Sequence, residues 1–180
     1  MKRNATRSAR SNTSHFRVLV IGNSGAGKSY LANYFKKRGL PAIDMDAHTV
    51  SGWFDEVKKT WVRDYDPKTW NYESKMAWNW KSRILKKLLK RKELYAFGSA
   101  ANREEFFKYF DRIYYLNINK KLLIERLKKR KHSFGKTNEQ VKLIASWTKL
   151  MRNEAIKYKM EIIDGSLPPK IIFEIIKSKK

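Results

Sequence analysis

The eight residues from Gly22 to Ser29, GNSGAGKS, constrain the fold more than any other part of the chain. They fit the pattern G-x-x-x-x-G-K-[ST] at every fixed position. The mostly apolar, β-branched run 16–21 precedes them and predicts a buried strand, and residues 28–38 carry apolar side chains at helical spacing. A bare bend between a strand and the start of a helix presents backbone N–H groups and the positive end of a helix dipole. The pattern therefore predicts a phosphate-binding loop.

The same loop predicts a nucleotide site. We expect Lys28 to contact the β- and γ-phosphates and the Ser29 hydroxyl to bind Mg²⁺. A chance match to a glycine-rich turn is the alternative, and the strand before the loop and the helix after it make that alternative improbable. The residues expected to bind the nucleotide here are Gly22, Asn23, Ser24, Gly25, Ala26, Gly27, Lys28, Ser29 and Tyr30.

Strands and helices alternate along the rest of the chain. Short apolar strands are predicted at 16–21, 40–44, 94–98, 112–118 and 160–164, with helices at 28–38, 103–110, 120–131, 137–159 and 170–176. Alternation of this kind is typical of βαβ units with helices on both faces of a parallel sheet. We therefore predict an α/β fold, a three-layer doubly wound sandwich around a five-stranded parallel sheet.

The segment of about residues 50–80 interrupts this alternation and is predicted to be an insertion that binds the acceptor. Residues 51–72 are aromatic and polar and predict irregular structure, whereas Met76, Trp80 and Ile84 recur at helical spacing and predict a long helix from 76 to about 92. On that helix Trp78 would be more exposed than Trp80. The aromatic density suits a flat or ring-shaped substrate, although aromatic residues in a small domain are more often core.

The composition bounds the remaining possibilities. The chain of 180 residues has 41 basic and 17 acidic residues, no cysteine and three histidines. The formal net charge of +24 attracts polyanions, so nucleic acid is a possible partner, but a lysine-rich composition in general explains the charge slightly better. Residues 1–15 predict a flexible basic arm before a single domain at 16–180. Without an apolar run of about 18 residues, we expect a cytoplasmic protein with no membrane partner.

Asp44 and Asp46 end the second predicted strand. Two carboxylates at positions i and i+2 can point into the crevice at the carboxyl edge of a parallel sheet. One can bind Mg²⁺ and the other can orient or deprotonate a hydroxyl. The alternative is a pair of aspartates that form a turn. The third predicted strand ends in FGSAAN without an acid, so these two are the strand-end carboxylates nearest to the phosphate loop.

The loop GNSGAGKS, the pair Asp44-x-Asp46 and the segment 116–130 together resemble the shikimate kinase, gluconate kinase and adenylate kinase group of the P-loop nucleoside triphosphate hydrolase superfamily. The resemblance covers residues 16–176 in the order of elements. It implies transfer of the γ-phosphate of ATP, with Mg²⁺ as cofactor, within one compact domain. By that resemblance Asp44 binds the metal, and Lys28, Asp44 and Asp46 are catalytic.

The resemblance also implies roles for the basic residues of the segment before residue 137. Arg126 would stack on adenine, Arg130 would be the catalytic cation of a lid at about 126–137, and Lys131 would assist it. A solvated basic helix face is the alternative, and the Arg-Pro of the family lid is replaced here by Ser133 to Lys136. Pro168 or Pro169 would form the other side of the adenine slot, although a proline that starts a helix explains both residues equally well.

Three functions stay open at this point. The first is a kinase for a small-molecule acceptor. The pair Asp44 and Asp46 favours an acceptor that reacts through a hydroxyl group. The second is a kinase for a polynucleotide or RNA, which the net charge favours. The third is a non-catalytic ATP-binding module associated with nucleic acid. The sequence does not choose an acceptor or an oligomeric state.

Overall fold

The structure, a computed structural model, describes residues 16–130 and 134–179. In chain order the strands are β1 (Phe16–Gly22), β2 (Ala42–Asp44), β3 (Ser51–Asp55), β4 (Thr60–Val62), β5 (Met76–Trp80), β6 (Glu93–Phe97), β7 (Arg112–Asn117) and β8 (Glu161–Asp164). The α-helices are α1 (Lys28–Lys36), α2 (Ser82–Leu88), α3 (Lys120–Lys129), α4 (Asn138–Lys157) and α5 (Pro169–Lys177). Short 3₁₀ helices occupy Pro67–Thr69, Tyr72–Ser74 and Arg103–Tyr109. The predicted arm 1–15 lies outside the described residues.

The predicted five-stranded parallel sheet is confirmed. Its strand order is β2-β6-β1-β7-β8, and every neighbouring pair runs parallel. The first strand therefore lies at the centre, and its carboxyl end opens onto the phosphate loop. The α/β class and the layering with helices on both faces follow from this sheet.

Alternate residues of β1 fill two separate cores, one on each face of the sheet. Val18 and Val20 pack with helices α1, α3 and α5, and Leu19 and Ile21 pack with α2 and the helix Arg103–Tyr109. Side chains along a strand alternate between faces, so a continuous apolar run is the pattern of a strand that is covered on both faces. That is why the run 16–21 is apolar except for Arg17.

The helix predicted from residue 76 to about 92 is wrong in its first part. Residues 76–80 form β5, which pairs antiparallel with β3, and the helix is confined to Ser82–Leu88. The irregular structure predicted for 51–72 is also wrong in part, since β3, β4 and β5 form a three-stranded antiparallel sheet. Cross-strand pairing of bulky aromatics such as Trp53 with Trp78 outweighs the helical spacing of the apolar residues.

The antiparallel sheet gives the insertion two different faces. Trp53, Trp78 and Val62 are directly paired and share one face, whereas Phe54 and Trp61 are paired on the other. Trp78 is half-buried and Trp80 is fully buried, as predicted, although on a strand. Among the residues described, none of the helices has the length and apolar character that crossing a membrane requires.

Candidate active site

The phosphate loop begins at the last residue of β1 and has glycines where side chains cannot fit. A Cβ on Gly22 would lie 3.1 Å from the Ala26 Cβ and 3.2 Å from the Leu116 Cβ. Gly25 and Gly27 have φ angles of 90° and 105°, in the left-handed region that favours glycine. Gly27 is the N-cap of α1. The backbone N–H groups at this helix start are therefore left without side chains that would cover them.

Lys28 is buried beneath the loop with only 6% of its side chain exposed. Its Nζ donates to the carbonyl oxygens of Gly22 at 3.0 Å and Asn23 at 3.2 Å. The same Nζ lies 3.2 Å from Oδ2 of Asp46. The ammonium group contacts two carbonyl oxygens of the loop and the carboxylate of Asp46, so its charge is held where terminal phosphates of a nucleotide bind such loops.

Asp46 brings a carboxylate to the carboxyl end of β6, where residues 97–102 contain no acid. Its Oδ1 accepts the N–H of Ser99 at 2.8 Å, just beyond β6, while Oδ2 faces Lys28. Gly98 allows this approach, because a Cβ there would lie 2.4 Å from the Met45 Cβ and 3.0 Å from Oδ1 of Asp46. The carboxylate of Asp46 therefore crosses from the end of β2 to the end of β6 and pairs with the loop lysine.

Asp44 forms the turn expected under the alternative interpretation, and it also lines the cavity. Its Oδ1 accepts the N–H of Asp46 at 3.0 Å, which is the bond of a turn-forming aspartate. It also lines the same cavity as Ser29 and Asp46. Asp44 therefore forms the turn bond and still lines the crevice.

The donor set at this edge fits a magnesium ion that is shared with a nucleotide. Mg²⁺ in phosphate-transfer sites is usually bound by one or two carboxylates, with phosphate oxygens and waters completing the octahedron. Ser29 and Asp44 supply a hydroxyl and a carboxylate to one cavity. Within residues 16–130 and 134–179 no group of three or more acidic, histidine or cysteine side chains could bind a metal alone. An ion here would need phosphate ligands.

Two arginines, one in α3 and one just after it, donate hydrogen bonds to the phosphate loop. Nη1 of Arg126 donates to the carbonyl oxygens of Ala26 at 3.1 Å and Gly165 at 3.2 Å. Nη1 of Arg130 donates to Oγ of Ser24 at 2.8 Å. The helix predicted to extend to residue 131 ends at Lys129, and Arg130 follows it with extended backbone, φ −74° and ψ 156°. Stacking of Arg126 on a base stays a prediction.

Arg130 carries a charge that the described residues leave incompletely paired. Its Nη2 donates to the carbonyl oxygen of Phe134, and its buried Nε has no hydrogen-bond partner among the residues that the structure describes. Burial lowers the pKa of Arg130, and the negative charge of Asp46 partly offsets this. An arginine stays protonated despite such a shift, so the loop has a desolvated cation beside it.

The described part of the predicted lid is tied to the insertion through Gln140, which is 3% exposed. Oε1 of Gln140 accepts the N–H of Gly135 at 2.8 Å, and Nε2 donates to carbonyl oxygens of Pro67, Lys68 and Trp70 at 2.8, 3.1 and 3.3 Å. Residues 131–133, and with them the predicted lid cation Lys131, lie outside the described residues.

Asn23, which the motif leaves free to vary, connects the loop to α4. It is 1% exposed, and its Nδ2 donates to the carbonyl oxygen of Ile144 at 2.6 Å and to Oγ1 of Thr148 at 3.3 Å. Its Oδ1 accepts the N–H of Ser24 at 2.8 Å. The position of the loop therefore depends on a helix about 120 residues further along the chain.

A cavity of about 790 Å³ joins the phosphate loop to the insertion. One end is lined by the loop, Asp44, Asp46, Arg126 and Arg130, and the other end by aromatic side chains. The rings at that second end are Trp53, Trp70, Trp78, Phe134 and Trp147, and we call them the aromatic wall. Its neighbouring ring centroids lie 5.4 to 6.2 Å apart.

A second cavity of about 300 Å³ lies on the other side of Arg126. Its walls include Tyr30, Arg126, Leu167 and Pro169. Of the two prolines considered for the adenine slot, Pro169 lines this cavity, whereas Pro168 is the N-cap of α5 and is not among the lining residues. Tyr30 lines both cavities and is 65% exposed. Binding of adenine at this place stays a prediction.

A comparison with protein-family models finds a match to the family described as AAA domain over residues 18–144, more than half of the chain. The chain belongs to the AAA domain family. The match covers the phosphate loop, the Asp44–Asp46 turn, the insertion and both arginines of this AAA domain. Among curated proteins, none matches the chain.

Solved structures confirm the fold of this AAA domain as that of P-loop kinases. Shikimate kinase from Acinetobacter baumannii in complex with shikimate has a TM-score of 0.61 at 18% identity, covering 93% of this chain and 96% of that one. Deoxyadenosine kinase from M. mycoides with bound dATP has a TM-score of 0.54 at 17% identity, covering 92% and 98%. A gluconokinase from Sinorhizobium meliloti 1021 has a TM-score of 0.51 at 17% identity, covering 87% and 86%.

Sequence reasoning missed several residues of the site. Gly98 could have been noticed as a glycine directly after a buried strand, a place where close approach of another segment is common. Gln140 carried no such signal, because a single amide on a helix has no periodicity. Asn23 was expected as part of the phosphate loop, but its bonds to α4 were not. Trp147 was read only as part of a helix, and its place in the aromatic wall follows from the packing of α4.

Proposed function

We propose that this AAA domain protein is an ATP-dependent kinase that transfers the γ-phosphate of MgATP to a small-molecule hydroxyl. The observation that carries the proposal is the convergence of Lys28, Asp46 and Arg130 on one phosphate loop. The likeness in fold to shikimate kinase, gluconokinase and deoxyadenosine kinase supports it.

The reaction follows from the charges around the cavity. The acceptor oxygen forms a bond to the γ-phosphorus of ATP, and the bond from that phosphorus to the β–γ bridging oxygen breaks. ADP leaves with the bonding electron pair, and the hydroxyl proton passes to a carboxylate. We assign that carboxylate to Asp46, because Lys28 and the Ser99 N–H orient it at the loop.

The cations stabilise charge that develops on the transferred group. Lys28 lies under the loop, and Arg130 approaches it through Ser24, so the two charges flank the terminal phosphates of a nucleotide bound there. Mg²⁺, held by Ser29 and Asp44, would neutralise phosphate charge in the bound complex. Arg126 and Pro169 would bracket the adenine in the smaller cavity.

A coupled assay of ADP release tests the proposal. Shikimate, gluconate, nucleosides, nucleoside monophosphates and oligonucleotides are offered as acceptors with MgATP. We expect at least one to be phosphorylated, with the activity lost in Lys28→Ala. Equal background rates for the wild type and Lys28→Ala against every class would contradict the proposal, and so would the absence of any heat of ATP binding at millimolar concentration.

Two aspartate variants separate binding from transfer. Asp46→Asn keeps an oxygen for the Ser99 N–H but cannot take a proton, so we expect kcat to fall by about 100-fold or more. The dissociation constant of MgATP, measured by calorimetry, should stay within a few-fold. Asp64→Asn changes an exposed aspartate of the insertion in the same way and should leave both quantities unchanged.

A further inference from the structure

The aromatic wall is more than the core of a small insertion. Trp70, Trp78, Phe134 and Trp147 are only half-buried and line the cavity, whereas Trp80, two residues beyond Trp78, is fully buried away from it. Rings that serve only as core are covered by other side chains. These rings face open space in the same cavity that contains the phosphate loop.

The wall is also connected to the carboxylates of the transfer site. The imidazole of His48, two residues after Asp46, lies 5.0 Å from the Trp78 ring at an angle of 87°. The carbonyl oxygen of Trp78 accepts the N–H of Ala101 at 2.8 Å, close to the Ser99 that holds Asp46. Trp78 and Asp46 also line the same cavity, so a molecule seated against Trp78 shares that space with the group that would take the hydroxyl proton.

The cations that line the cavity contact the phosphate loop or an acidic side chain, so the described residues offer no separate cation for an anionic acceptor. Within the described residues, the lysines and arginines that line it are Lys28, Arg103, Arg126 and Arg130. Three of them contact the phosphate loop, and Arg103 is paired with Glu154 through Nε at 2.9 Å and through Nη2. The carboxylates of Asp44 and Asp46 add negative charge.

We infer, on the basis of the proposed function, that the reacting end of the acceptor is an uncharged group whose flat aromatic ring stacks in the aromatic wall and whose hydroxyl is presented to Asp46. A nucleobase that carries a sugar hydroxyl has this chemistry, whether it is a free nucleoside or the 5′ end of a polynucleotide. Its hydroxyl oxygen takes the γ-phosphoryl group, the bond to ADP breaks, and the proton passes to Asp46.

Acceptor competition in the wild-type protein tests the charge and the ring separately. The probes are adenosine, uridine, AMP, shikimate, gluconate and an oligonucleotide with a 5′ hydroxyl, each with MgATP. Phosphorylation of a nucleoside, with kcat/KM at least about tenfold above that of AMP and the ring-free acids, supports the inference and points to a free nucleoside. Activity on the oligonucleotide alone supports it and points to a chain end. Preference for AMP, shikimate or gluconate overturns it.

Two tryptophans on opposite faces of one sheet provide a matched pair of variants. Trp78→Leu should raise the KM of the aromatic acceptor by about tenfold, since stacking of a base on an aromatic ring commonly contributes this much or more, and should leave the KM of ATP within about twofold. Trp78→Phe should restore most of the affinity. Trp61→Leu, on the face away from Trp78, should change neither constant. Equal effects of Trp78→Leu and Trp61→Leu would overturn the inference.

Binding without turnover distinguishes the two proposals. Calorimetry with adenosine and uridine on the Lys28→Ala variant measures nucleoside binding without turnover, and the part of the heat that Trp78→Leu removes is binding at the aromatic wall. Heat of binding that Trp78→Leu removes in this background supports the ring site even if no acceptor is phosphorylated, and in that case only the kinase assignment fails. Absence of heat together with absence of turnover of the nucleosides and of the oligonucleotide overturns the acceptor class, while turnover of shikimate or gluconate would leave the kinase assignment standing.

Discussion

Replacing Gln140 by methionine should destabilise the protein by about 2–3 kcal/mol. Methionine has similar length and fills the same space, so the change removes hydrogen bonds with little loss of packing. Gln140 is 3% exposed and bonds to the backbone at Gly135, Pro67, Lys68 and Trp70. Its hydrogen bonds therefore hold the 134–136 turn against the insertion, beside the ring contacts of Phe134 with Trp53 and Trp70.

The magnitude follows from what an amide can satisfy. The amide nitrogen of Gln140 has two hydrogens for three carbonyl oxygens, so the longest contact, 3.3 Å to Trp70, shares a hydrogen at best. Two good donor bonds and one acceptor bond at roughly 0.5–1.5 kcal/mol each give about 3 kcal/mol. The carbonyl of Lys68, an exposed residue, regains water in the variant and lowers the sum. The N–H of Gly135, a buried residue, does not regain a water partner, so its bond counts in full.

Urea denaturation followed by circular dichroism measures the effect. Lys142→Met, at an exposed position two residues further along α4, makes the same chemical replacement without these bonds and should stay within about 0.5 kcal/mol of the wild type. The denaturant slope m should be unchanged in both variants. A Gln140→Met protein as stable as Lys142→Met would refute the assignment of Gln140 as the connection between the turn and the insertion.

Two further predictions concern the loops around the phosphate site. Gly98→Ala should lower the free energy of unfolding, measured by urea denaturation, by about 2–3 kcal/mol, because the new Cβ lies 2.4 Å from that of Met45. Gly39→Ala, at φ 75° with no atom within 4 Å of the new Cβ, should cost only backbone strain of about 1 kcal/mol. Equal losses in the two variants would contradict this account. The Ser166 hydroxyl and N–H lower the pKa of Asp164, so this carboxylate stabilises the fold above its ordinary pKa and loses that contribution as the pH falls through the lowered value. Ser166→Ala should raise the pKa in an NMR titration of the carboxyl group, and an unchanged titration would exclude the hydroxyl as its cause.

The central sheet was predictable because its signals are local. The five parallel strands were expected within one or two residues of their observed bounds, since each is a short apolar run between polar turns. The glycines of the phosphate loop were equally readable, because a backbone that turns at φ 90° and 105° excludes most other residues. Pattern and backbone sterics act over a few residues and leave their trace in the sequence.

The insertion was mispredicted because its structure depends on pairing between distant segments. Met76 to Trp80 fit a helical period equally well, and only the contact with Ser51–Asp55 makes them a strand. Strand preference is decided by cross-strand neighbours more than by the backbone of the segment itself. The periodicity of a single segment could therefore not distinguish the two.

The sequence by itself determined the phosphate loop, the α/β class and the strand-end position of the two aspartates. Only the tertiary structure decided that Asp46 reaches Ser99 and Lys28, that Arg130 reaches Ser24, and that aromatic rings from three segments line one cavity. These contacts join residues up to 106 positions apart. Their geometry depends on how the layers pack around the sheet, and packing acts between residues that no local pattern relates.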